Sequence, residues 1–114
     1  MKKILVVAAH PDDEILGCGA TLLKSAAKGH KIKTIIVSEG VSSRFNKDSI
    51  AQTKQLKKRI ESSKKAQSFI KGSEIIYLNL PDQKLDTISL LSIIKKIEVE
   101  IKKFNPEIIY THHH

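Results

Sequence analysis

The sequence has little of what disulfide scaffolds, membrane anchors and stacking surfaces require. Its 114 residues include one cysteine and no tryptophan, and aromatic residues make up only 4%. The single cysteine, Cys18, excludes an internal disulfide and favours a packing role within an apolar helical pattern. No apolar run approaches the roughly 18 residues that span a bilayer, and the run from Ile4 to Ala9 is too short for a secretory signal. We therefore expect a cytoplasmic protein without stable membrane insertion.

The chain is also short of acidic residues, with a formal net charge of +8. Clustered lysines attract phosphates, so nucleic acids and membrane surfaces come into consideration as partners. Most of the excess charge falls on two predicted helices, however, and the few aromatic residues do not alternate with basic ones as a stacking platform requires. Solvated helical faces are the favoured interpretation, and no nucleic-acid partner is expected.

Short β-branched runs alternate with longer helical periods, which is typical of βαβ units. Strands are expected at residues 3–9, 31–38, 74–80 and 107–111, and helices at 13–28, 49–71 and 87–104. On the second helix, the residues expected on the inner side are Leu56, Ile60, Ala66, Phe69 and Ile70. Right-handed crossovers then favour a Rossmann-like three-layer α/β/α sandwich, with a mostly parallel sheet in the order 3-2-1-4. The length fits a single domain over residues 1–114.

Polar residues follow each of the four predicted strands. They are His10 and Asp12 after the first, Glu39 after the second, Asp82 after the third, and His112, His113 and His114 after the fourth. In an open parallel sheet, ligands bind beyond the carboxyl ends of the strands, where the strand order reverses. The order 3-2-1-4 places the fourth strand beside the first, so we expect the histidine run near His10.

The segment His10-Pro11-Asp12-Asp13-Glu14 carries the most chemical information. Pro11 fixes the backbone at the strand exit, and imidazole nitrogen and carboxylate oxygen both suit Zn²⁺. A histidine and an aspartate three positions apart around a tight turn can reach one ion, with Asp12 facing the open position. Alternatively, the three carboxylates only cap a helix and stabilise its first turn. That alternative leaves His10 unexplained, so a metal site is favoured.

The six residues from Ala9 to Glu14 are identical to the Ala-His-Pro-Asp-Asp-Glu segment of the LmbE-like (PIG-L) metal-dependent N-deacetylases, which the sequence resembles. Weaker similarities follow in the family's order at residues 38–40, 59–61, 80–86 and 106–112. The first motif is fairly specific, and the others count only because of their order. The resemblance runs the length of the chain and implies the same α/β fold.

The resemblance implies a zinc-dependent hydrolase that removes the acetyl group from an N-acetylglucosamine-type sugar or conjugate. His10 and Asp13 would bind Zn²⁺ or another divalent transition metal. Asp12 would be the general base for a metal-activated water, with Glu14 in support. Arg44 and His112 are candidates for substrate binding, although a solvated role suits Arg44 equally well.

The family's third ligand is a histidine in an Asp-His pair beyond the fourth strand, and this sequence does not reach it. The domain is therefore expected to be incomplete, and the activity of the 114-residue chain itself stays open. His112 to His114 are interpreted as native residues, with a purification tag as the alternative.

Two further hypotheses remain. One is a Rossmann-like module that holds a nucleotide or phosphate at the first helix, but no Gly-x-Gly-x-x-Gly fingerprint is present and three carboxylates would repel phosphate. The other is a non-catalytic fragment of a deacetylase. The sequence identifies neither the substrate nor the metal, and it is compatible with an oligomer.

Overall fold

The computed structural model describes residues 1–38, 49–80 and 90–113. Seven elements alternate in chain order: β1 (Lys3–Ala8), α1 (Asp13–Ala27), β2 (Lys31–Ser38), α2 (Ser49–Gln67), β3 (Ser73–Leu80), α3 (Leu90–Phe104) and β4 (Ile108–Thr111). The strands form one parallel sheet in the order β3-β2-β1-β4. The predicted parallel sheet and the order 3-2-1-4 are therefore confirmed. No helix in this described part has the length and apolarity that a membrane crossing needs.

The helices cover both faces of the sheet. One face carries the main core cluster, which consists of Ile4, Val6, Leu22, Ile32 and Ile70. On the other face, Lys33 Nζ of β2 lies 2.8 Å from Glu100 Oε2 of α3. Because successive strand residues point to opposite faces, Ile32 and Lys33 assign α1 and α3 to opposite sides of the sheet. The predicted three-layer α/β/α arrangement is thereby confirmed.

The prediction for the inner face of α2 is wrong at the carboxyl end of the helix. The helix stops at Gln67 instead of residue 71, and Phe69 is 69% exposed. The chain leaves the helix in a tight turn in which the Ile70 N–H donates to the Gln67 carbonyl at 2.9 Å. This turn directs Ile70 into the core, so the helical period no longer applies to Phe69 and its predicted burial is wrong.

Three hydrogen bonds tie neighbouring strand ends to the exit of β1. The Ser38 N–H donates to the Ala9 carbonyl at 2.8 Å, and Thr111 Oγ1 donates to the Val7 carbonyl at 2.9 Å. The Ala9 N–H in turn donates to His112 Nε2 at 2.9 Å. The ends of β2 and β4 are thus fixed beside the point where α1 begins.

Candidate active site at the exit of β1

The chain leaves β1 through a tight turn over residues 10–13. The Asp13 N–H donates to the His10 carbonyl at 3.2 Å, which closes the turn. Pro11 occupies its second position and Asp12 its third, where Asp12 has φ 89° and ψ −27°. The third position of such a type II turn favours glycine because its φ is positive. Asp12 therefore holds a strained backbone conformation, of a kind that clusters at functional sites.

The side chain of Asp12 does not cap α1. Asp12 is the N-cap residue, and its carbonyl accepts hydrogen bonds from the Ile15 and Leu16 N–H groups at 3.1 and 2.8 Å, but its carboxylate makes no cap bond. Instead, Asp12 Oδ2 lies 3.8 Å from Arg59 Nη2 on α2, and the side chain is 51% exposed. Helix capping therefore does not explain this carboxylate, which is free of the helix amides and accessible at the rim.

Three residues singled out in the sequence meet around one oxygen atom. Asp13 Oδ2 accepts a hydrogen bond from the His10 N–H at 3.1 Å. The same oxygen lies 3.5 Å from His10 Nδ1 and 3.6 Å from His112 Nε2. The structure thus brings His10, Asp13 and His112 together, as the position of β4 beside β1 led us to expect.

The His10 and Asp13 pair fits two positions of a zinc site. Its donor separation of 3.5 Å is close to the ~3.3 Å between neighbouring donors of a tetrahedral zinc with bonds of about 2.0–2.1 Å. His112 Nε2, in contrast, already uses its lone pair to accept the Ala9 N–H. Consistent with this, no complete set of three ligating side chains is assembled within residues 1–38, 49–80 and 90–113.

Glu14 is fully buried in the first turn of α1. It is 1% exposed, and neither carboxylate oxygen has a hydrogen-bond partner among the residues that the structure describes. Burial raises the pKa of Glu14, the nearby backbone N–H groups of Glu14 and Asp12 lower it by less, and the negative charges of Asp12 and Asp13 raise it further, so the net pKa is raised. An acidic residue in the first turn can interact favourably with the helix dipole while it stays exposed. Glu14 is buried instead, and burying a carboxylate without a hydrogen-bond partner costs free energy.

Two pockets adjoin this cluster. The first, of about 250 Å³, lies between α1 and the β1–β4 edge and is lined by Val6, Val7, Ala8, Asp13, Glu14, Gly17, Cys18, Tyr110, Thr111 and His112. The second, of about 390 Å³, is lined by Asp12, Gln55, Lys58, Arg59 and Ser62. Sequence reasoning did not anticipate this contribution of α2. The polar residues 55, 58, 59 and 62 do recur at helical spacing, but this pattern is equally typical of a solvated helix face and does not distinguish a pocket.

Some of the candidate residues lie outside the described part of the chain. They are Arg44, the tentative substrate contact, together with Glu39, Asp82 and His114. Their roles stay predictions. His113 is described and exposed.

The family model for PIG-L, the GlcNAc-PI de-N-acetylases, matches residues 5–114. The chain belongs to this family. YaiS of Escherichia coli strain K12, an uncharacterized deacetylase, is 34% identical over 103 residues. That match covers 86% of this chain and 51% of YaiS, so this PIG-L chain spans about half the length of its relative.

Solved structures share the fold of this PIG-L chain. The N,N'-diacetylchitobiose deacetylase of Pyrococcus horikoshii superposes with a TM-score of 0.81 at 22% identity, covering 95% of this chain and 39% of the deacetylase. GalB of Pseudomonas putida, a 4-carboxy-2-hydroxymuconate hydratase, superposes with a TM-score of 0.78 at 21% identity, covering 96% and 46%. Identities this low show the fold alone. Since one of these two structures is a hydratase and the other a deacetylase, the shared fold does not determine the reaction, which must be argued from the residues of the site.

Proposed function

We propose that this chain forms part of a metal-dependent N-deacetylase that hydrolyses the acetamide of an N-acetylglucosamine-type sugar or conjugate. Membership of the PIG-L family and the similarity to YaiS support a deacetylase. The observation that carries the proposal is the state of Asp12, which has a strained φ of 89°, no capping bond and an accessible carboxylate. A base that must reach an attacking water requires this combination of fixed backbone and open side chain.

In this proposal, His10 and Asp13 hold the metal ion. Their nitrogen and oxygen donors suit Zn²⁺, and the mixed set also accommodates Mn²⁺ or Fe²⁺. The bound ion would lower the pKa of a water to about 7 and polarise the amide carbonyl. His112 holds the strand exit in place through the Ala9 N–H, and its imidazole lies at the rim where substrate would enter.

Asp12 accepts the proton of the attacking water and then returns it to the leaving amine. Arg59, 3.8 Å away, orients the carboxylate from the side of α2. His10, Asp12 and Asp13 belong to one tight turn whose second residue is Pro11, and a backbone hydrogen bond closes this turn. The backbone therefore fixes the points from which the three side chains extend. This arrangement supports amide hydrolysis more directly than phosphate binding, since three carboxylates stand where a phosphate would bind.

The test compares bound metal and hydrolysis in three variants. His10→Ala should lose the metal. Asp12→Asn should keep the metal while hydrolysis of N-acetylglucosamine falls by on the order of 10²–10⁴. His30→Ala is the matched control because His30 accepts the Lys2 N–H at the opposite end of the sheet, and it should keep both properties.

Metal content is measured on the 114-residue chain and, because YaiS is about twice as long, on a chain extended to that length. Equal metal loss in His10→Ala and Asp12→Asn would contradict the assigned roles. Absence of metal from every form would overturn the proposal and favour the phosphate-binding alternative.

A further inference from the structure

The three helices all end on the side of the molecule where the strands begin. The strands are parallel, and each helix runs back against them, so α1, α2 and α3 end within a few residues of the starts of β2, β3 and β4. We call this side the amino pole. The candidate active site follows the carboxyl end of β1 and therefore lies at the opposite end of the sheet.

Lysines are concentrated at the amino pole. Some precede or begin strands, and the others stand in the last turns of the helices or just beyond them. All are exposed except the half-buried Lys3, and none forms an ion pair with another residue of the described ranges 1–38, 49–80 and 90–113. They are Lys2, Lys3, Lys28, Lys31, Lys64, Lys65, Lys71, Lys102 and Lys103.

The charge of these lysines is not offset by carboxylates. Glu74 and Glu100 lie 3.5 and 2.8 Å from the buried Lys33 ammonium, and Glu107 is exposed. The lysines outnumber these three acids, so much of the chain's net charge of +8 acts from this pole as one positive field. The helix dipole favours lysines at helix ends, but it does not account for those at the starts of strands.

The lysines come close together around the start of β3. Two adjoining hollows, of about 320 and 340 Å³, are both lined by Gly72, Ser73 and Glu74. The lysines around them come from every layer of the fold, which makes the positive surface continuous. They are Lys3, Lys31 and Lys103 at the first hollow and Lys64 and Lys71 at the second.

Phe69 is an exposed aromatic residue of the amino pole, placed between Lys65 and Lys71 along the chain. Its side chain is 69% exposed, whereas the next residue, Ile70, is buried in the core. The Phe69 N–H donates to the Ala66 carbonyl at 3.2 Å, so the turn that carries the ring is fixed. The ring buries little apolar area within the fold and contributes little to its stability. An apolar ring flanked by ammonium groups is suited to the boundary between lipid headgroups and acyl chains.

We propose that the amino pole binds the surface of a membrane that contains anionic lipids, with the Phe69 ring inserted among the headgroups. A lysine near such a surface contributes roughly a fivefold gain in affinity. All the basic residues of the pole are lysines, and without the planar fork of arginine the pole favours a diffuse anionic surface over the phosphates and bases of a nucleic acid. The candidate active site then faces the aqueous phase, so the proposal does not depend on the proposed function.

Sedimentation with vesicles tests the proposal on two triple variants with the same change of charge. The wild type should bind phosphatidylcholine vesicles only when they also contain phosphatidylglycerol, and sodium chloride should weaken this binding. Replacing Lys64, Lys65 and Lys71 by glutamine should lower the affinity on the order of 100-fold. The control replaces Lys54, Lys57 and Lys58, which are exposed on α2 farther from the pole, and it should retain most of the affinity.

A second pair of variants tests the inserted ring. Phe69→Ser should lower the affinity for the same vesicles by about tenfold, because the buried ring area is lost. Ile50→Ser is the matched control, since Ile50 is 79% exposed but lies at the start of α2, away from the pole. Both changes are at exposed positions, so the fold should be retained, and circular dichroism checks this.

Four results would overturn the proposal. Equal binding to neutral and anionic vesicles would exclude an anionic surface as the ligand. Equal losses in the two triple variants would mean that the overall charge, and not the pole, attracts the membrane. Equal effects of Phe69→Ser and Ile50→Ser would exclude insertion of the ring. Tighter binding to a DNA duplex of arbitrary sequence than to anionic vesicles, with the same dependence on the pole lysines, would assign the pole to nucleic acid instead.

Discussion

Two carboxyl groups near the sheet, Glu14 of α1 and Glu100 of α3, are held in opposite ways. Glu100 Oε2 lies 2.8 Å from the buried Lys33 ammonium, and this hydrogen bond lowers the pKa of Glu100. Glu14 has no hydrogen-bond partner among the described residues, and burial raises its pKa. The ionised Glu100 is thus stabilised by its pair with Lys33. Glu14 is buried beside Asp12 and Asp13, where its ionised form is disfavoured.

The Lys33 ammonium, the partner of Glu100, is surrounded by further groups that favour its positive charge. Burial lowers the pKa of Lys33, but Glu100 and Glu74 raise it by more, and the net pKa is raised. The ammonium is 3.5 Å from Glu74 Oε1 and 5.8 Å from the centroid of the Phe104 ring. A cation with these neighbours fastens α3 to β2 and β3.

Glu100→Gln should produce the largest change in stability. It removes the charge 2.8 Å from the buried Lys33 ammonium and leaves the exposed Glu74 at 3.5 Å. The loss should therefore be about 2 kcal/mol, below the cost of leaving a buried charge with no charged partner. Urea unfolding measures the loss in the free energy of unfolding. Glu98→Gln, an exposed change on the same helix, should stay within about 0.5 kcal/mol of the wild type. Equal effects would mean that the Lys33 pair contributes nothing.

Glu14→Gln should increase the free energy of unfolding, whereas Glu100→Gln decreases it. The amide has nearly the same shape but carries no charge to be buried, so we expect a stabilisation on the order of 1 kcal/mol at pH 8. The same urea titration measures it, with Glu61→Gln on the exposed surface of α2 as control. A destabilised Glu14→Gln would show that the native carboxylate has a favourable partner.

The pH dependence of the two glutamate variants sharpens the comparison. The folded-state pKa of Glu14 is raised above 4.5, so its contribution becomes less favourable as the pH rises from about 4.5 through the raised value. The folded-state pKa of Glu100 is lowered from 4.5, so its stabilisation is present above about 4.5 and is lost as the pH falls through the lowered value. The differences from wild type should therefore grow with pH in both variants, with opposite signs. Unfolding curves at pH 2 to 8 check both signs, because the Glu100 difference changes below about pH 4.5 and the Glu14 difference above it. Differences that do not change in those ranges would refute them.

The sequence predicts the fold and the meeting of His10, Asp13 and His112 for a shared reason. Both depend on the backbone: β-branched runs specify the strands, and right-handed crossovers place β4 beside β1. Two features of the site depend instead on how the side chains of α1 and α2 pack together: the approach of Arg59 to Asp12 and the burial of Glu14 without a hydrogen-bond partner among the described residues. Local sequence patterns do not predict such packing. Phe69 was placed wrongly for a related reason, since periodicity does not state where a helix ends.

The smallest predicted effect concerns the backbone of Asp12. At φ 89° a Cβ atom is disfavoured, so Asp12→Ala should lose about 1 kcal/mol, because alanine lacks the polar side chain that helps aspartate tolerate this region. Asp12→Gly removes the strain but gives the unfolded chain more freedom, and these effects nearly cancel, within about 0.5 kcal/mol of the wild type. Urea unfolding of both variants measures the difference, and a glycine variant less stable than the alanine variant would contradict the strain. Stability retained in the glycine variant would mean that the fold does not require aspartate at position 12, as the proposed role of Asp12 as the base predicts.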